Sequence, residues 1–78
     1  MHEHDADKRI GRVVKGYLIH KGLRLSTEAP AAFGLSKSSM CDLLSGRRPW
    51  TMRYLVLAAK VTGVDAARIV REAAESPE

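Results

Sequence analysis

The sequence predicts an all-α fold, a compact five-helix bundle that contains a helix-turn-helix unit. Apolar residues recur at spacings of three and four through successive segments, which is typical of helices with one buried face. The segments end at glycines, namely Gly22, Gly34, Gly46 and Gly63. Glycine readily takes the left-handed conformation in which helices commonly end. The 78 residues suffice for one small domain, which we place at residues 8–75.

The first helix follows a short acidic segment. Residues 1–7 contain no lysine or arginine, and we expect them to form a disordered leader. The helix is predicted to begin near Asp7, a plausible N-cap, and to run to about His20 or Lys21. Its apolar stripe comprises Ile10, Val13, Val14, Tyr17 and Leu18. Gly11 and Gly16 each weaken the helix by about 1 kcal/mol relative to alanine. They are expected where a neighbouring helix packs closely.

The second helix is short. Ser26 or Thr27 can provide its N-cap, and Glu28 in the first turn suits the positive end of the helix dipole. Pro30 is tolerated because the first turn has no intrahelical partner for a backbone N–H. The helix is predicted to stop at Gly34. A turn of three or four residues with a glycine then leads into the third helix, which is the pattern of a helix-turn-helix unit.

The third helix, residues 36–45, has a polar outer face that is rich in serine. Ser36 is a good N-cap, and Met40, Leu43 and Leu44 form the apolar face together with the preceding Leu35. Small hydroxyl side chains let a helix approach a surface closely, and they can bond to a phosphate or a base edge. The same pattern also suits an ordinary amphipathic surface helix.

The last two helices follow a proline break at Pro49. Thr51 can cap a helix that extends to Thr62 and is apolar nearly all round, so we expect it to be the buried centre of the domain. Asp65 is predicted to cap a fifth helix that ends near Ala74. The residues of this helix expected to face inward are Ile69, Val70 and Ala73. Residues 76–78 are predicted to be a frayed tail.

Basic charge is concentrated in two stretches. The formal net charge is +4, and residues 8–25 contain no acid. The basic residues of this stretch are Lys8, Arg9, Arg12, Lys15, Lys21 and Arg24, and a second cluster comprises Arg47, Arg48 and Arg53. Charge grouped around the third helix and ahead of it suggests an anionic partner.

The composition also limits the compartment. Cys41 is the single cysteine and cannot form an internal disulfide, which favours a reducing environment. The longest apolar run, residues 54–59, is far too short to span a bilayer. The N-terminus has no apolar signal segment. We therefore expect a soluble, cytoplasmic protein.

Residues 8–74 resemble the Cro/phage-repressor (Xre-type) helix-turn-helix family. The resemblance is carried by Gly34-Leu35-Ser36, Ser38, Met40, Leu43-Leu44 and Gly46, then by a basic loop and Val61-Thr62-Gly63-Val64. It implies a lambda-repressor-like DNA-binding domain of bacteriophage or bacterial origin. The implied function is sequence-specific transcriptional regulation, of Cro or compact-repressor type. The third helix would then lie in the major groove of a double-stranded DNA operator in the bacterial cytoplasm.

The resemblance also implies which residues touch DNA. The base-reading residues would be Lys37, Ser38, Ser39 and Asp42. Lys37 could donate to guanine O6 and N7, and Asp42 could accept from the N4 amine of cytosine. The phosphate-binding residues would be Thr27, Ser36, Arg47 and Arg48, together with Lys8, Arg9 and Arg12 in an arm or helix end. For the last three, a solvated basic face is an equal alternative.

Other functions remain open at this point. The regulator could bind as a homodimer, through helix five, the end of helix four or the loop around Trp50. A second hypothesis is a small protein-interaction module, antitoxin-like or a phage protein that binds a host factor. Trp50 could then be an exposed anchor, or it could pack over the core. We expect no enzyme activity, cofactor or small-molecule substrate. His2 and His4 could bind a metal loosely, but no second cluster of ligands follows.

Overall fold

The computed structural model of the chain describes residues 3–75, with side chains from residue 5 onward. Its helices are α1 (Glu3–His20), α2 (Glu28–Phe33), α3 (Lys37–Ser45), α4 (Met52–Thr62) and α5 (Ala66–Glu75). No strand occurs within these residues. The predicted all-α fold with five helices is therefore confirmed. The predicted tail, residues 76–78, lies outside the described residues.

The first helix begins earlier than the sequence predicts. Residues 3–7 form the start of α1, where the sequence predicts a disordered leader. Asp7 is not the N-cap, because it lies inside the helix and its carboxylate accepts a hydrogen bond from the backbone N–H of Trp50 at 2.9 Å. This contact joins residues far apart in the chain, so helix periodicity could not reveal it. Acidic side chains near the positive end of the helix dipole favour the longer helix as well.

The centre of the bundle is α1, not α4 as the sequence predicts. Val14 and Leu18 of α1 are fully buried, and α1 packs against α3, α4 and α5. Because α1 occupies the centre, α4 buries only one side. Its Met52 is 71% exposed and its Val56 is 42% exposed. Val70 of α5, predicted to face inward, is also 42% exposed.

α1 and α3 approach each other backbone to backbone. A Cβ atom at Gly11 would overlap the carbonyl group of Leu44, lying 2.8 Å from its carbon. A Cβ atom at Gly46 would lie 2.7 Å from the Cα of Lys8. Gly11 therefore marks a close helix contact, as the sequence allowed. Gly16 does not, because nothing lies within 4 Å of a Cβ atom there.

Trp50 packs in the core and closes the end of α3. Its side chain is only 7% exposed, and its indole N–H donates to the backbone carbonyl of Leu43 at 2.9 Å. The indole meets the ring of Phe33 edge to face, with centroids 6.4 Å apart. Of the two sequence-based alternatives, packing over the core is confirmed and the exposed anchor is wrong.

A polar contact joins α1 to α5 at the surface. The Tyr17 hydroxyl donates to Glu72 Oε1 at 2.6 Å, and Arg68 Nε donates to Glu72 Oε2 at 2.9 Å. The hydrogen bond from Tyr17, followed by that from Arg68, lowers the pKa of Glu72. The same bond with Glu72 raises the pKa of Tyr17. The contact therefore favours an ionised Glu72 and a protonated Tyr17.

We expect Gly11→Ala to destabilise the fold and Gly16→Ala to stabilise it. The methyl group at residue 11 forces α1 and α3 apart, at a cost of about 1–3 kcal/mol in the free energy of unfolding. The methyl group at residue 16 meets open space and favours the helix by about 0.5–1 kcal/mol. Urea denaturation of both variants measures the two effects. Equal effects would contradict the close contact between the helices.

The Tyr17–Glu72 contact makes stability depend on pH at both ends of the range. The contribution of Glu72 is present above its unfolded pKa and is lost as the pH falls through its lowered folded pKa. The contribution of Tyr17 is present below its unfolded pKa and is lost as the pH rises through its raised folded pKa. We expect Tyr17→Phe to lower the melting temperature most between these limits. Tyr54→Phe, which removes a hydroxyl without such a partner, is the control.

Candidate nucleic-acid interface

The turn between α2 and α3 has the predicted geometry. Three residues separate the helices. Gly34 adopts the left-handed conformation at φ 68°, and the N–H of Leu35 donates to the carbonyl of Pro30 at 2.9 Å. Pro30 lies in the first turn of α2 and is buried. The helix-turn-helix unit predicted from the sequence is therefore present.

The start of α3 is fixed by two serines. Ser36 Oγ accepts from the backbone N–H of Ser39 at 3.1 Å and donates to Ser39 Oγ at 3.0 Å. This confirms Ser36 as the N-cap. Both hydroxyl groups therefore take part in hydrogen bonds within the protein in the absence of a ligand. Ser36 is exposed and Ser39 is half-buried.

The predicted side-chain cap by Thr27 is not formed at the start of α2. Thr27 occupies the N-cap position, but its side chain makes no capping hydrogen bond. Glu28 Oε1 accepts from the backbone N–H of Arg24 at 2.7 Å, which joins the first residue of α2 to the preceding turn. Thr27 is exposed, so its hydroxyl remains available to another acceptor or donor.

The outer face of α3 is polar and accessible. Met40 and Leu43 are buried beneath it. The exposed residues of the helix are Lys37, Ser38, Cys41 and Ser45, and Asp42 is half-buried. Lys37 and Ser38 thus stand at the beginning of the helix with their side chains in solvent.

A basic cleft of α1 borders α3 on one side. The cleft has a volume of about 330 Å³ and is lined by Asp5, Lys8, Arg9, Arg12, Lys15, Leu44 and Ser45. A neighbouring groove of about 300 Å³ shares Lys15, Leu44 and Ser45 with it and continues to Lys37 and Cys41. The cations of α1 and the first residue of α3 therefore belong to one continuous surface, which we call the basic trough.

Lys15 lies at the junction of the two parts of the basic trough, and it is absent from the site residues predicted from the sequence. Lys8, Arg12 and Lys15 follow one another at spacings of four and three residues. Residues so spaced share a helix face. That spacing was the signal that could have identified Lys15.

Arg47 and Arg48 follow the end of α3. Arg47 Nε lies 3.2 Å from Asp42 Oδ1. Asp42, which the sequence predicts to read a base, therefore forms an ion pair with Arg47. The guanidinium carbon of Arg48 lies 5.9 Å from the centroid of the Tyr54 ring, a cation–π arrangement. These two residues and Lys37 bracket the outer face of α3 with positive charge.

Two other features bear on the function. Among the side chains of residues 5–75, no group of three His, Cys, Asp or Glu could hold a metal ion. His2 and the side chain of His4 lie outside the described part of the chain. No helix within that part has the length and apolar character needed to cross a membrane.

Comparison with known proteins supports the fold. No protein-family model matches the chain, and no curated protein matches it. The crystal structure of the clp gene regulator ClgR from C. glutamicum is similar, with a TM-score of 0.82 and 23% sequence identity over 94% of each chain. At this identity the likeness shows that the two chains share a fold.

We expect Ser36→Ala to destabilise the protein by about 1 kcal/mol, because it removes the side-chain cap of α3. Ser38→Ala is the matched control. Ser38 makes no cap and is exposed, so its loss should change the free energy of unfolding by less than about 0.5 kcal/mol. Urea denaturation measures both. Equal stability of the two variants would contradict the capping role of Ser36.

Proposed function

We propose that the protein is a sequence-specific double-stranded DNA-binding transcriptional regulator of Cro or compact-repressor type. It acts in the cytoplasm by binding and without catalysis. The observation that carries the proposal is the outer face of α3, which is serine-rich and is bordered by positive charge at both edges. The B-DNA major groove is about 12 Å wide and admits a helix. The phosphates at its two edges would meet the two basic borders.

The start of α3 supplies the base-reading residues in this proposal. Lys37 and Ser38 are exposed and lie in its first turn. Lysine can donate to guanine O6 and N7, and a serine hydroxyl can donate or accept at any base. Ser39 is half-buried, and its hydroxyl accepts a hydrogen bond from Ser36 Oγ. We therefore propose that Ser39 flanks the base contacts of Lys37 and Ser38. The small serines allow the helix backbone to approach the base edges.

The phosphate-binding residues lie on both sides of α3. Lys8, Arg9 and Arg12, with Lys15 added, would contact one strand through the basic trough. Arg48 would contact the other strand from the end of α3. The exposed Thr27 hydroxyl can donate a hydrogen bond to a phosphate, and the Ser36 hydroxyl can do so when its hydrogen turns away from Ser39 Oγ. Contacts of this kind set position and affinity without reading sequence.

The similar protein supports a regulatory role. ClgR is named a clp gene regulator, and it shares the fold over 94% of this chain. The competing hypothesis of a protein-interaction module had Trp50 as an exposed anchor for a partner. Trp50 is buried, so it does not support that hypothesis. The exposed residues of α3 favour DNA over a protein partner because none of them is large and apolar.

We also propose that the protein binds its operator as a homodimer. Val70 of α5 is exposed and lies in a groove between α1 and α5. The groove is lined by Ala6, Arg9, Ile10, Val70, Ala73 and Ala74, so Arg9 borders both this groove and the basic trough. A second copy that covers this groove would place the two α3 helices of the dimer at two DNA half-sites about one helical turn apart. The operator would then be nearly palindromic.

Fluorescence anisotropy tests the DNA-binding proposal. Duplexes selected from a randomised library and the DNA upstream of the protein's own gene are compared with scrambled duplexes across a salt series. We expect tight, sequence-selective binding that weakens in Lys37→Ala and Ser38→Ala. Weak binding that is equal on all duplexes would contradict the proposal and favour a protein partner.

The basic trough has its own test. The slope of log affinity against log salt is negative when phosphates are bound. We expect Lys8→Gln with Lys15→Gln to make it shallower by about 0.9 for each lost phosphate contact. Sequence preference should not change. Lys60→Gln with Arg71→Gln, on α4 and α5, removes the same charge from residues that line neither part of the trough. An equal loss of slope in both double variants would contradict a phosphate-binding role for the trough.

A further inference from the structure

We propose that Asp42 and Arg47 form one base-reading unit, in which Asp42 orients Arg47 so that Arg47 recognises a guanine. The inference rests on the proposed DNA-binding function and deepens it, because it names a base and the pair of residues that selects it. It also assigns Arg47 a different target from the phosphate that the sequence analysis predicts. Asp42 is a positioning residue in this unit, and Arg47 makes the contact with the base.

The contact between the two side chains leaves the right atoms available. Arg47 Nε lies 3.2 Å from Asp42 Oδ1. A guanidinium group has five N–H donors, one on Nε and four on its two terminal nitrogens. With Nε beside Asp42, both terminal nitrogens are left for O6 and N7 of guanine, the pair of acceptors that arginine commonly binds.

The backbone holds Arg47 at the same place. Gly46 takes the left-handed conformation at φ 86° and reverses the chain at the end of α3. The N–H groups of Arg47 and Arg48 then both donate to the carbonyl of Asp42, at 2.9 and 3.2 Å. Arg47 is thus tied to one residue of α3 through both its backbone and its side chain. Its guanidinium is thereby kept beside the outer face of the helix.

The position of Asp42 is costly for a surface that only binds phosphates. Asp42 is the one acid between Glu28 and Asp65, and it lies on the face that carries the proposed base contacts. A carboxylate there repels the phosphates of any DNA, whatever its sequence. An unfavourable group that one correct partner compensates is a common source of specificity. Here the repulsion weakens binding to every DNA sequence, whereas the guanine contact of Arg47 strengthens binding only to sequences with a guanine at that position.

Arg48 provides the internal comparison. It is the next residue, and its guanidinium lies over the Tyr54 ring, with no ion pair to a carboxylate in the described part of the chain. A phosphate contact needs positive charge and tolerates lysine, whereas bidentate contact with guanine needs the planar fork of arginine. The two adjacent arginines are therefore expected to respond differently to substitution by lysine.

Selection from a randomised duplex library tests the inference. It is run with the unaltered protein and with Asp42→Asn, Arg47→Lys and Arg48→Lys. We expect the unaltered protein to require a guanine at one position, with roughly 5- to 150-fold weaker binding when that base is changed, the range for a good bidentate contact. Asp42→Asn and Arg47→Lys should lose the preference at that position only. Arg48→Lys should keep it.

Replacing that guanine by 7-deazaguanine removes the N7 acceptor and leaves the phosphates intact. We expect the replacement to weaken the unaltered protein and to have little effect on Asp42→Asn or Arg47→Lys. Asp42→Asn should also bind scrambled duplexes more tightly, because the repulsion is gone. Circular dichroism melting verifies that the variants are folded, which we expect because exposed ion pairs contribute little to stability.

The outcomes separate the inference from the proposed function. If the unaltered protein selects no sequence at all, the proposed function fails and the inference fails with it. If it selects a sequence and every preference survives in Asp42→Asn and Arg47→Lys, the inference is overturned and the proposed function stands. An equal effect of 7-deazaguanine on the unaltered protein and both variants would also overturn it.

Discussion

The rest of the structure depends on the near contact between the backbones of α1 and α3. Gly11 allows α1 to meet the carbonyl of Leu44, and Gly46 allows the end of α3 to meet Lys8. The contact fixes the direction in which α3 presents its outer face. It also brings the basic residues of α1 beside that face, because the residues that flank Gly11 along α1 line the basic trough. One steric constraint therefore serves both the core and the proposed interface.

One face of α3 packs in the core and the other is exposed, and polar contacts are found at both ends of the helix. Inward, Met40 and Leu43 fill the core, and the carbonyl of Leu43 holds the Trp50 indole. Outward, small or charged side chains leave the helix accessible. The serine cap fixes the start of the helix, and the Asp42–Arg47 pair lies at its end. The helix is thus fixed at its start by the serine cap and at its end by backbone hydrogen bonds to the Asp42 carbonyl. Such a helix is suited to reading a groove with little loss of freedom on binding.

Sequence reasoning predicted most of what depends on neighbouring residues. The helix ends at Gly34 and Gly46 and the serine cap of α3 follow from local backbone preferences.

Features that depend on distant contacts were missed or wrong. Asp7, which ends the unpredicted helical stretch 3–7, accepts a hydrogen bond from Trp50. The burial of α4 depends on which helix fills the centre. Composition indicated that α4 is apolar but not that Met52 and Val56 face solvent. The pairing of Asp42 with Arg47 needs the chain reversal at Gly46 and a defined side-chain geometry. For that reason the sequence assigned the two residues separate DNA contacts.

In the proposed function, DNA covers α3 and the basic trough. Backbone amide chemical shifts of the 15N-labelled protein, recorded before and after a selected duplex is added, report which residues it covers. We expect the largest changes at residues 37–42, with further changes at 8–15 and 46–48, and small changes along α4 and α5 away from any dimer contact. Large changes confined to α4 and α5, with α3 unaffected, would contradict it.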